Sequence, residues 1–583
     1  MNLFHIPSRG QAAGGLPWRA LFVGACLASL ALCAFAGGAN AFSEEKERTI
    51  VEAVYFNGKV HTMDPARPVV EAISAGGGRI IETGSSRELL AGLGPGARTI
   101  DLGGRAVIPG LTDAHAHFLG FARLATRLDL VGTASLDEIL EKVSAKLPSV
   151  RKGEWILGRG WDQNDWPEAR YPERPALDRI APDNPVYLVR ICGHAAYVNS
   201  AALRLAGISR LTPDPAGGKI LRDASGEPTG ILLDNAVNLV SKSIPPLARD
   251  EKKKLMVAAA RKCLAAGLVG VHEMGIDAED VSVYEELYAA GELPFRITGY
   301  LSSDDAGVAP FLDAGPRAGR GDELFRIVGA KFYADGSLGA RSASLIDDYE
   351  DDPGNRGILM QSPDSLYRLI LPWREKGFQT AVHAIGDAAV REVLDVYERL
   401  GAAHPAPDAR PRIEHSQVVA VDDVARFAKL GVVPSMQFIH CTSDMPWVEE
   451  RLGAGRAAGA YAWRSLVAAG SRIPGGSDFP VESINPFLGI HAAVTRQDLA
   501  GEPRGGWRGD QRLTIEEAVG AFTRDAAYAV HAEDVAGSLA PGKLADFIIL
   551  SDDIFSVNPG KIPLIRVLAT VLGGEIVYRS DTF

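Results

Sequence analysis

The segment PGLTDAHAH, residues 109–117, ends an apolar run with two histidines that are one residue apart. The run begins at Ala106 and is short and rich in apolar residues, which is typical of a buried strand. Because side chains in a strand alternate between its two faces, His115 and His117 should point the same way. Two neutral imidazoles on one side of a strand offer two nitrogen ligands to one metal ion. Taken alone, this spacing fits surface or core histidines as well.

Seven further strand-like apolar runs follow the first one, with helical patterns between them. The eight runs are residues 106–115, 269–273, 295–300, 326–333, 379–384, 412–415, 432–436 and 473–478. Alternating strands and helices are typical of a parallel α/β sheet or barrel, and eight is the strand number of a (β/α)8 barrel. We therefore predict the α/β class and a TIM-like (β/α)8 barrel.

Polar residues collect at the carboxyl ends of five of the eight runs. They are His115, His117, Lys331, His383, His415 and Asp478. A (β/α)8 barrel carries its active site at the carboxyl ends of its strands, so these residues should meet there.

The two ends of the chain have a different character from the middle. Short β-rich pieces separated by Gly, Asn and Pro occur at 53–56, 69–74 and 79–82, and again at 546–550, 567–572 and 575–578. We predict that residues 42–104 and 534–583 form one composite β-sandwich domain and that residues 105–533 form the barrel. The long gap after the first run, residues 119–250, is predicted to be an insertion over one end of the barrel.

Six segments resemble the amidohydrolase superfamily, and within it the amidohydrolase 3 group. They are PGLTDAHAH at 109–117, KFYADGSLG at 331–339, VHAIGD at 382–387, RIEHSQ at 412–417, GSDFP at 476–480 and GSLAPGKLAD at 537–546. The resemblance spans about residues 54–577 and includes every metal-binding motif. It implies a metal-dependent hydrolase that cleaves an amide-type C–N bond, other than a peptide bond, in a small and largely uncharged or aromatic molecule.

The resemblance also implies a site with one or two divalent ions. His115 and His117 would bind one ion, and His383 and His415 a second. Lys331 would bridge them after carbon dioxide has converted it to a carbamate, because a free ammonium group has no acceptor. Zinc suits these ligands best, with iron or manganese as alternatives. Lys331 could instead be an ordinary ion-pair partner of Asp335.

Asp478 is the residue that the resemblance assigns to proton transfer, from the attacking water to the leaving nitrogen. Its alternative role is to cap the helix that follows. In the insertion, His194 matches a family segment and is expected to contact the substrate. Trp161 and Asp162 are expected to form a pocket wall, with an exposed loop as the alternative.

The remaining histidines are assigned by their surroundings in the sequence. His272, His440 and His491 lie near apolar segments and are expected to be structural. His5, His61, His404 and His531 are placed outside the site. Cys192, Cys263 and Cys441 are too widely spaced to imply a disulfide framework or a cysteine metal motif.

The N-terminus has the features of an export signal. Arg9 and Arg19 precede an apolar run at 20–36, and small residues at 37–41 suit cleavage after Ala41. The chain is then expected in the periplasm or secreted, without stable membrane insertion. A retained membrane anchor and a lipoprotein signal at 23–26 are the alternatives.

Charge and motif content narrow the classes of function. The formal net charge of −12 on 583 residues argues against a nucleic-acid partner, and a homo-oligomer stays open. A deaminase or a hydrolase of cyclic amides or esters could use the same site. A binding protein that has lost catalysis is the non-enzyme alternative, and the full set of expected ligands disfavours it.

Overall fold

The computed structural model describes residues 51–317 and 324–583. Its central sheet has eight parallel strands in chain order, with the first and last at its two edges. They are β1 Leu111–Ala116, β2 Leu268–Ile276, β3 Arg296–Ser302, β4 Phe325–Tyr333, β5 Gln379–Ala384, β6 Arg412–His415, β7 Val433–Gln437 and β8 Gly475–Gly476. The backbone N–H of Asp478 donates to the carbonyl of His115 at 2.8 Å, which joins the ends of β8 and β1. The predicted (β/α)8 barrel is therefore confirmed.

The first predicted run, 106–115, is two strands rather than one. Ala106–Pro109 belongs to a separate sheet, and β1 begins only at Leu111. The two strands meet at Gly110, where a Cβ atom would lie 2.4 Å from Cγ1 of Val269. The chain therefore crosses from one sheet to the barrel at a glycine because no side chain fits there, a constraint that the apolar pattern does not reveal.

Helices surround the barrel strands. They are Phe118–Leu124, Arg249–Ala265, Ala278–Ala289, Ala309–Ala314, Pro363–Glu375, Asp387–Ala403, Val421–Leu430, Phe438–Asp444, Val448–Arg456, Trp463–Ala468, Pro486–Thr495, Ile515–Ala521 and Arg524–Ala529, with short 3-10 turns at Ala306–Val308, Ala457–Gly459 and Gly509–Gln511. Local signals fix several of these helix starts. Thr514 and Glu517, for example, form a capping box at Ile515–Ala521.

The two ends of the chain contribute strands to one sheet. Its order is Glu575–Arg579, Val567–Leu572, Phe547–Leu550, Ala106–Pro109, Lys59–His61 and Val69–Val70. A second sheet has the order Arg79–Gly84, Ala72–Gly76, Ala53–Phe56 and Arg98–Asp101, with helix Ser86–Ala91 beside it; a 3-10 helix at Pro559–Leu564 lies between the C-terminal strands in the chain. Tyr55 and Phe547, one from each sheet, meet edge to face with ring centroids 4.8 Å apart.

The insertion between β1 and β2 has a six-stranded sheet of its own. Its order is Gly218–Arg222, Pro228–Asp234, Ala195–Val198, Val186–Arg190, Ile156–Trp161 and Leu128–Asp129. Its helices are Leu136–Lys146, Arg174–Ile180, Ser200–Leu205 and Val237–Ser241, with 3-10 turns at Leu147–Ser149 and Gln163–Asp165. The predicted insertion is thus a folded unit and not a long loop.

The predicted export signal, residues 1–41, lies outside the described residues. Within the described part of the chain, no helix is long and apolar enough to cross a membrane.

Candidate metal centre

The barrel brings the six residues predicted as metal ligands together at its carboxyl end. Nε2 of His117 lies 3.2 Å and Nε2 of His115 lies 3.5 Å from Oδ1 of Asp478. The rings of His115 and His415 are 4.8 Å apart, and those of His415 and His383 are 4.6 Å apart. One ligand atom from each of His115, His415 and Asp478 falls within 4.8 Å of the others, which is close enough to hold one ion.

Asp478 is the least satisfied of these groups. Its Oδ1 is buried and has no hydrogen-bond partner in the structure, although two imidazole nitrogens face it. Burial by itself would raise the pKa of the carboxyl, but the imidazoles of His115, His117 and His440 hold it well below its usual range. A buried anionic oxygen beside two nitrogen donors is a set that a divalent cation would complete.

His115 is held by a second carboxylate that the sequence analysis did not single out. Its Nδ1 lies 2.6 Å from Oε2 of Glu414, and Nε of Arg412 donates to Oε1 of Glu414 at 2.7 Å. Burial and the Lys331 ammonium lower the pKa of His115 to about 4. The ring is therefore neutral near pH 7, with its Nδ1–H on Glu414 and its Nε2 lone pair turned to the site.

His415 and His383, two of the other three candidate histidines, have their own hydrogen-bond partners. Nδ1 of His415 lies 2.7 Å from Oε1 of Gln437, and burial lowers the pKa of His415 well below its ordinary value. Nε2 of His383 lies 3.2 Å from the carbonyl oxygen of Gly336. Both arrangements leave the second ring nitrogen as the candidate ligand atom.

Lys331 is buried among these groups without an acidic partner. Its Nζ lies 3.3 Å from Nε2 of His115, and the described residues place no carboxylate within ion-pair distance of it. Asp335, its alternative partner, instead accepts backbone N–H groups at 2.8–3.0 Å from Ser344, Ile385 and Gly386. Burial lowers the pKa of Lys331 to about 8, so a fraction of the side chain is a free amine near neutral pH.

A family model for the amidohydrolase family matches residues 98–578. The chain belongs to that family. It is 37% identical over 545 residues to the putative amidohydrolase YtcJ of Bacillus subtilis (strain 168), covering 91% of this chain and all of the relative. It is 30% identical over 546 residues to the N-substituted formamide deformylase of Arthrobacter pascens, covering 91% and 98% of the two chains.

Solved structures agree with this assignment. A metal-dependent hydrolase from Pyrococcus horikoshii OT3 superposes with a TM-score of 0.70 at 29% identity, over 87% of this chain and 99% of that one. One from Pyrococcus furiosus gives a TM-score of 0.67 at 31% identity, over 86% and 100%. The prediction of a metal-dependent amidohydrolase is confirmed.

In this amidohydrolase, the insertion places His194 beside His383, one of the candidate metal ligands. Its ring lies 5.4 Å from that of His383, and its Nδ1 lies 3.0 Å from Oδ1 of Asp234. Burial tends to lower the pKa of His194, but Asp234 and the neighbouring Cys192 outweigh it and raise the pKa above its ordinary value.

Trp161 and Asp162, the other two insertion residues predicted to line the pocket, have partners within the insertion. Trp161 has no exposed surface; it packs in the insertion core, and its indole N–H donates to the carbonyl of Leu188 at 2.9 Å. It therefore forms neither a pocket wall nor an exposed loop, because a strand position beside an apolar helix face buries it. Asp162 accepts from Nη2 of Arg190 at 2.5 and 2.6 Å, so its carboxylate is already committed.

His440 was expected to be structural, but it lies close to Asp478, one of the candidate metal ligands. Its Nε2 is 3.8 Å from Oδ2 of Asp478, and its Nδ1 is 3.3 Å from Oε1 of Glu482. Burial disfavours its charge, yet these two carboxylates raise the pKa of His440 to about 10. His272, by contrast, bonds at 3.0 Å to the buried Arg412 below the site.

Further histidines lie apart from this cluster. His491 sits beside Thr495 in its own helix, and His61, His404 and His531 pair with Asp553, Glu375 and Asp408. His5 lies outside the described residues.

Two cavities, of about 70 and 340 Å³, lie at the amino-terminal end of the barrel strands. Val269 and Arg296 line the smaller, and Phe378 and Gln379 line the larger, all of them at strand starts. None of the six candidate ligands lines either cavity.

Proposed function

We propose that this amidohydrolase cleaves the amide-type carbon–nitrogen bond of a small molecule, other than a peptide bond, at the carboxyl end of its barrel. The buried Oδ1 of Asp478 carries the proposal, because it faces two imidazole nitrogens and has no hydrogen-bond partner. The name of one relative, N-substituted formamide deformylase, supports an amide-type substrate.

The residues fit one or two divalent ions. His115, His117, His383, His415 and Asp478 would supply nitrogen and oxygen ligands, and Lys331 would supply a further oxygen ligand as its carbamate. Histidine and carboxylate ligands suit zinc, with iron or manganese as alternatives. When bound, such an ion lowers the pKa of a water molecule from about 15.7 towards 7 and polarises the scissile carbonyl.

Asp478 performs the proton transfers in this proposal. Its low pKa keeps the carboxylate ionised, so Oδ1 can accept a proton from the attacking water. The same oxygen then donates that proton to the amide nitrogen as the C–N bond breaks. Without it the leaving group would depart as an amide anion, which is far too basic.

Lys331 gains its role by reaction with carbon dioxide. The uncharged Nζ attacks the carbon of carbon dioxide, a new N–C bond forms, and one N–H proton leaves for solvent. The product is an anionic carbamate. Its oxygens can bind a metal ion, whereas the lysine ammonium group cannot. The burial of Lys331 and the absence of an acidic partner in the described residues favour this reaction.

His194 is proposed to contact the substrate from the insertion side of the site. Asp234 accepts one ring N–H and so orients the imidazole beside His383. Asp162 is assigned an indirect role, which is to hold Arg190 in place at the end of insertion strand Val186–Arg190.

Metal analysis of the mature protein, together with a substrate screen, tests this function. The screen contains N-formyl and N-acyl amines, N-acyl amino acids, cyclic ureides, a heterocyclic amine substrate and simple esters. Asp478→Asn should keep much of its metal and lose activity about 100-fold or more, the scale of a lost acid–base group. Turnover of only the heterocyclic amine, the cyclic ureide or the ester would replace the amide proposal with that alternative.

We also propose that the protein is exported to the periplasm or secreted, with cleavage after Ala41. The apolar run at 20–36 behind two arginines supports this proposal. N-terminal sequencing of the active protein should begin near Phe42. Met1 still present on envelope-bound protein would favour a retained anchor.

A further inference from the structure

Glu273 is a buried acid next to the candidate metal centre, near the carboxyl end of β2. The strand β2 pairs with β1, which leads into the two histidines at 115 and 117. The backbone N–H of Phe118 donates to Oε2 of Glu273, and the N–H of Leu119 donates to Oε1 at 3.1 Å. One carboxyl group of β2 therefore holds the two residues that directly follow His117.

These two donors belong to the first turn of helix Phe118–Leu124, where backbone N–H groups have no partner within the helix. A side chain at the N-cap position usually accepts such N–H groups. His117 occupies that position but makes no capping hydrogen bond, and its Nε2 instead faces Oδ1 of Asp478 at 3.2 Å. Glu273 thus supplies, from a neighbouring strand, the acceptor that the N-cap residue does not provide.

His117 differs from the other three candidate histidines in what holds its ring. Each of those three has a hydrogen-bond partner on one ring nitrogen outside the cluster, whereas Nδ1 of His117 has none in the part of the chain that the structure describes. Its side chain is also 34% exposed. The N–H of His117 donates to the carbonyl of Phe479 at 2.8 Å, and its carbonyl accepts from Phe121 at 2.9 Å. The backbone therefore sets the position of this imidazole.

The first turn of the same helix also packs against the His117 side chain. A Cβ atom on Gly120 would lie 3.3 Å from Cβ of His117 and 3.5 Å from Cδ of Pro480, two residues after Asp478. Contacts this close leave the turn little room to shift without moving His117 relative to Asp478.

We propose that Glu273 is a positioning residue of the metal centre, which fixes the first turn of helix Phe118–Leu124 and thereby holds the His117 imidazole beside Asp478. This inference rests on the proposed function, because it takes His117 to be a metal ligand. Residues that orient a ligand without touching the ion commonly change metal affinity about 10- to 100-fold. Loss of the Glu273 acceptors should therefore weaken metal binding although every ligand is still present.

A double-mutant cycle tests this role. Glu273→Gln replaces one acceptor oxygen with an amide N–H2 group and should weaken Zn²⁺ binding about 10-fold in competition against a chelator. In His117→Ala the same substitution should have almost no effect, because the group that Glu273 positions is gone. In His383→Ala it should keep its full effect. A loss of equal size in His117→Ala would show that Glu273 acts through the fold in general and would overturn the inference.

Cobalt substitution provides a second measurement, which does not require His117→Ala to bind metal. The visible absorption of bound Co²⁺ depends on the geometry of its ligands, so Glu273→Gln should change the spectrum. Glu273→Asp keeps the carboxyl group on a shorter side chain and should change it less. Glu292→Gln, at an exposed position between β2 and β3, should match wild type in spectrum and affinity. A wild-type spectrum and affinity in Glu273→Gln would overturn the inference.

Failure of this inference can be told apart from failure of the proposed function, because both measurements follow metal binding and need no substrate. A protein that gives the expected cycle and spectra but cleaves no amide in the screen would support the role of Glu273 and overturn the proposed function. Amide cleavage by wild type, together with unchanged metal binding in Glu273→Gln, would overturn the inference alone.

Discussion

Nδ1 of His115 lies 2.6 Å from Oε2 of Glu414, and both side chains are fully buried. The carboxylate fixes the imidazole in the tautomer whose Nε2 carries the lone pair. Arg412 holds Glu414 in turn and contacts the carbonyl of Ala114 at 2.7 Å, so the base of the site is one connected network. A carboxylate behind a metal-binding histidine orients the ring and increases its basicity.

Glu414→Gln should therefore weaken metal binding about 10- to 100-fold without removing any ligand. Competition against a chelator of known affinity measures the change. Glu141→Gln, at an exposed position in helix Leu136–Lys146, provides the control for loss of one glutamate charge. If Glu414→Gln binds metal as tightly as wild type, the contact with His115 is structural only.

Under the proposed function, Lys331→Ala should purify with reduced metal and little activity, because the carbamate proposed for Lys331 would be absent. Short carboxylic acids such as acetate should restore part of both, since their oxygens can occupy the same position. Metal analysis with and without added acid gives the readout. Full metal content and normal turnover of Lys331→Ala without any acid would leave a site built from the histidines and Asp478 alone.

Several features of the site could be predicted because they depend on local geometry. His115 and His117 both face Asp478, as strand alternation predicts, although β1 ends at Ala116, and the position of Asp478 follows from the end of a barrel strand. The role of Glu414 could not be predicted, because it depends on a contact with His115, which lies 299 residues away in the chain. Nothing in the RIEH pattern indicates that contact.

The positions of His440 and Trp161 also depend on contacts that the sequence does not reveal. His440 lies in the first turn of helix Phe438–Asp444, just after β7, and only the barrel closure brings it to Asp478. Trp161 ends strand Ile156–Trp161 and the insertion core buries it completely, whereas the sequence predicted a pocket wall with an exposed loop as the alternative. Tertiary packing decided both outcomes.

Glu392, in helix Asp387–Ala403, should make the free energy of unfolding depend on pH. Its Oε1 is buried without a hydrogen-bond partner, and burial with help from Asp395 raises its pKa to about 7. The folded state thus holds this proton more tightly than the unfolded state, whose pKa is about 4.5. Stability is complete below the unfolded value and falls as the pH rises towards 7.

Glu392→Gln cannot ionise, so its free energy of unfolding relative to wild type should be about 1 kcal/mol higher at pH 8 than at pH 5, a figure reduced from the full shift because part of the carboxyl reaches solvent. Urea unfolding at the two pH values measures it. Glu141→Gln, at an exposed position, is the control for loss of one glutamate, and an equal difference at both pH values for Glu392→Gln would contradict the assignment.

Asp546 links the β-sandwich to the barrel and provides the last prediction. Its carboxylate accepts from Nε of Arg296 in β3 at 2.5 Å and from the N–H of Gly573 at 2.8 Å, and its carbonyl accepts from Gly110 at 3.0 Å. Asp546→Ala would leave the largely buried guanidinium of Arg296 without this carboxylate, and breaking such a pair costs about 3–5 kcal/mol. We expect a loss of about that size in urea unfolding, against almost none for Asp581→Ala at the exposed C-terminus. Because Gly110 leads directly into β1, destabilisation at Asp546 should reach His115. Asp546→Ala should therefore lose metal at a lower urea concentration than wild type, and metal retention at the wild-type midpoint would show that the two parts unfold independently.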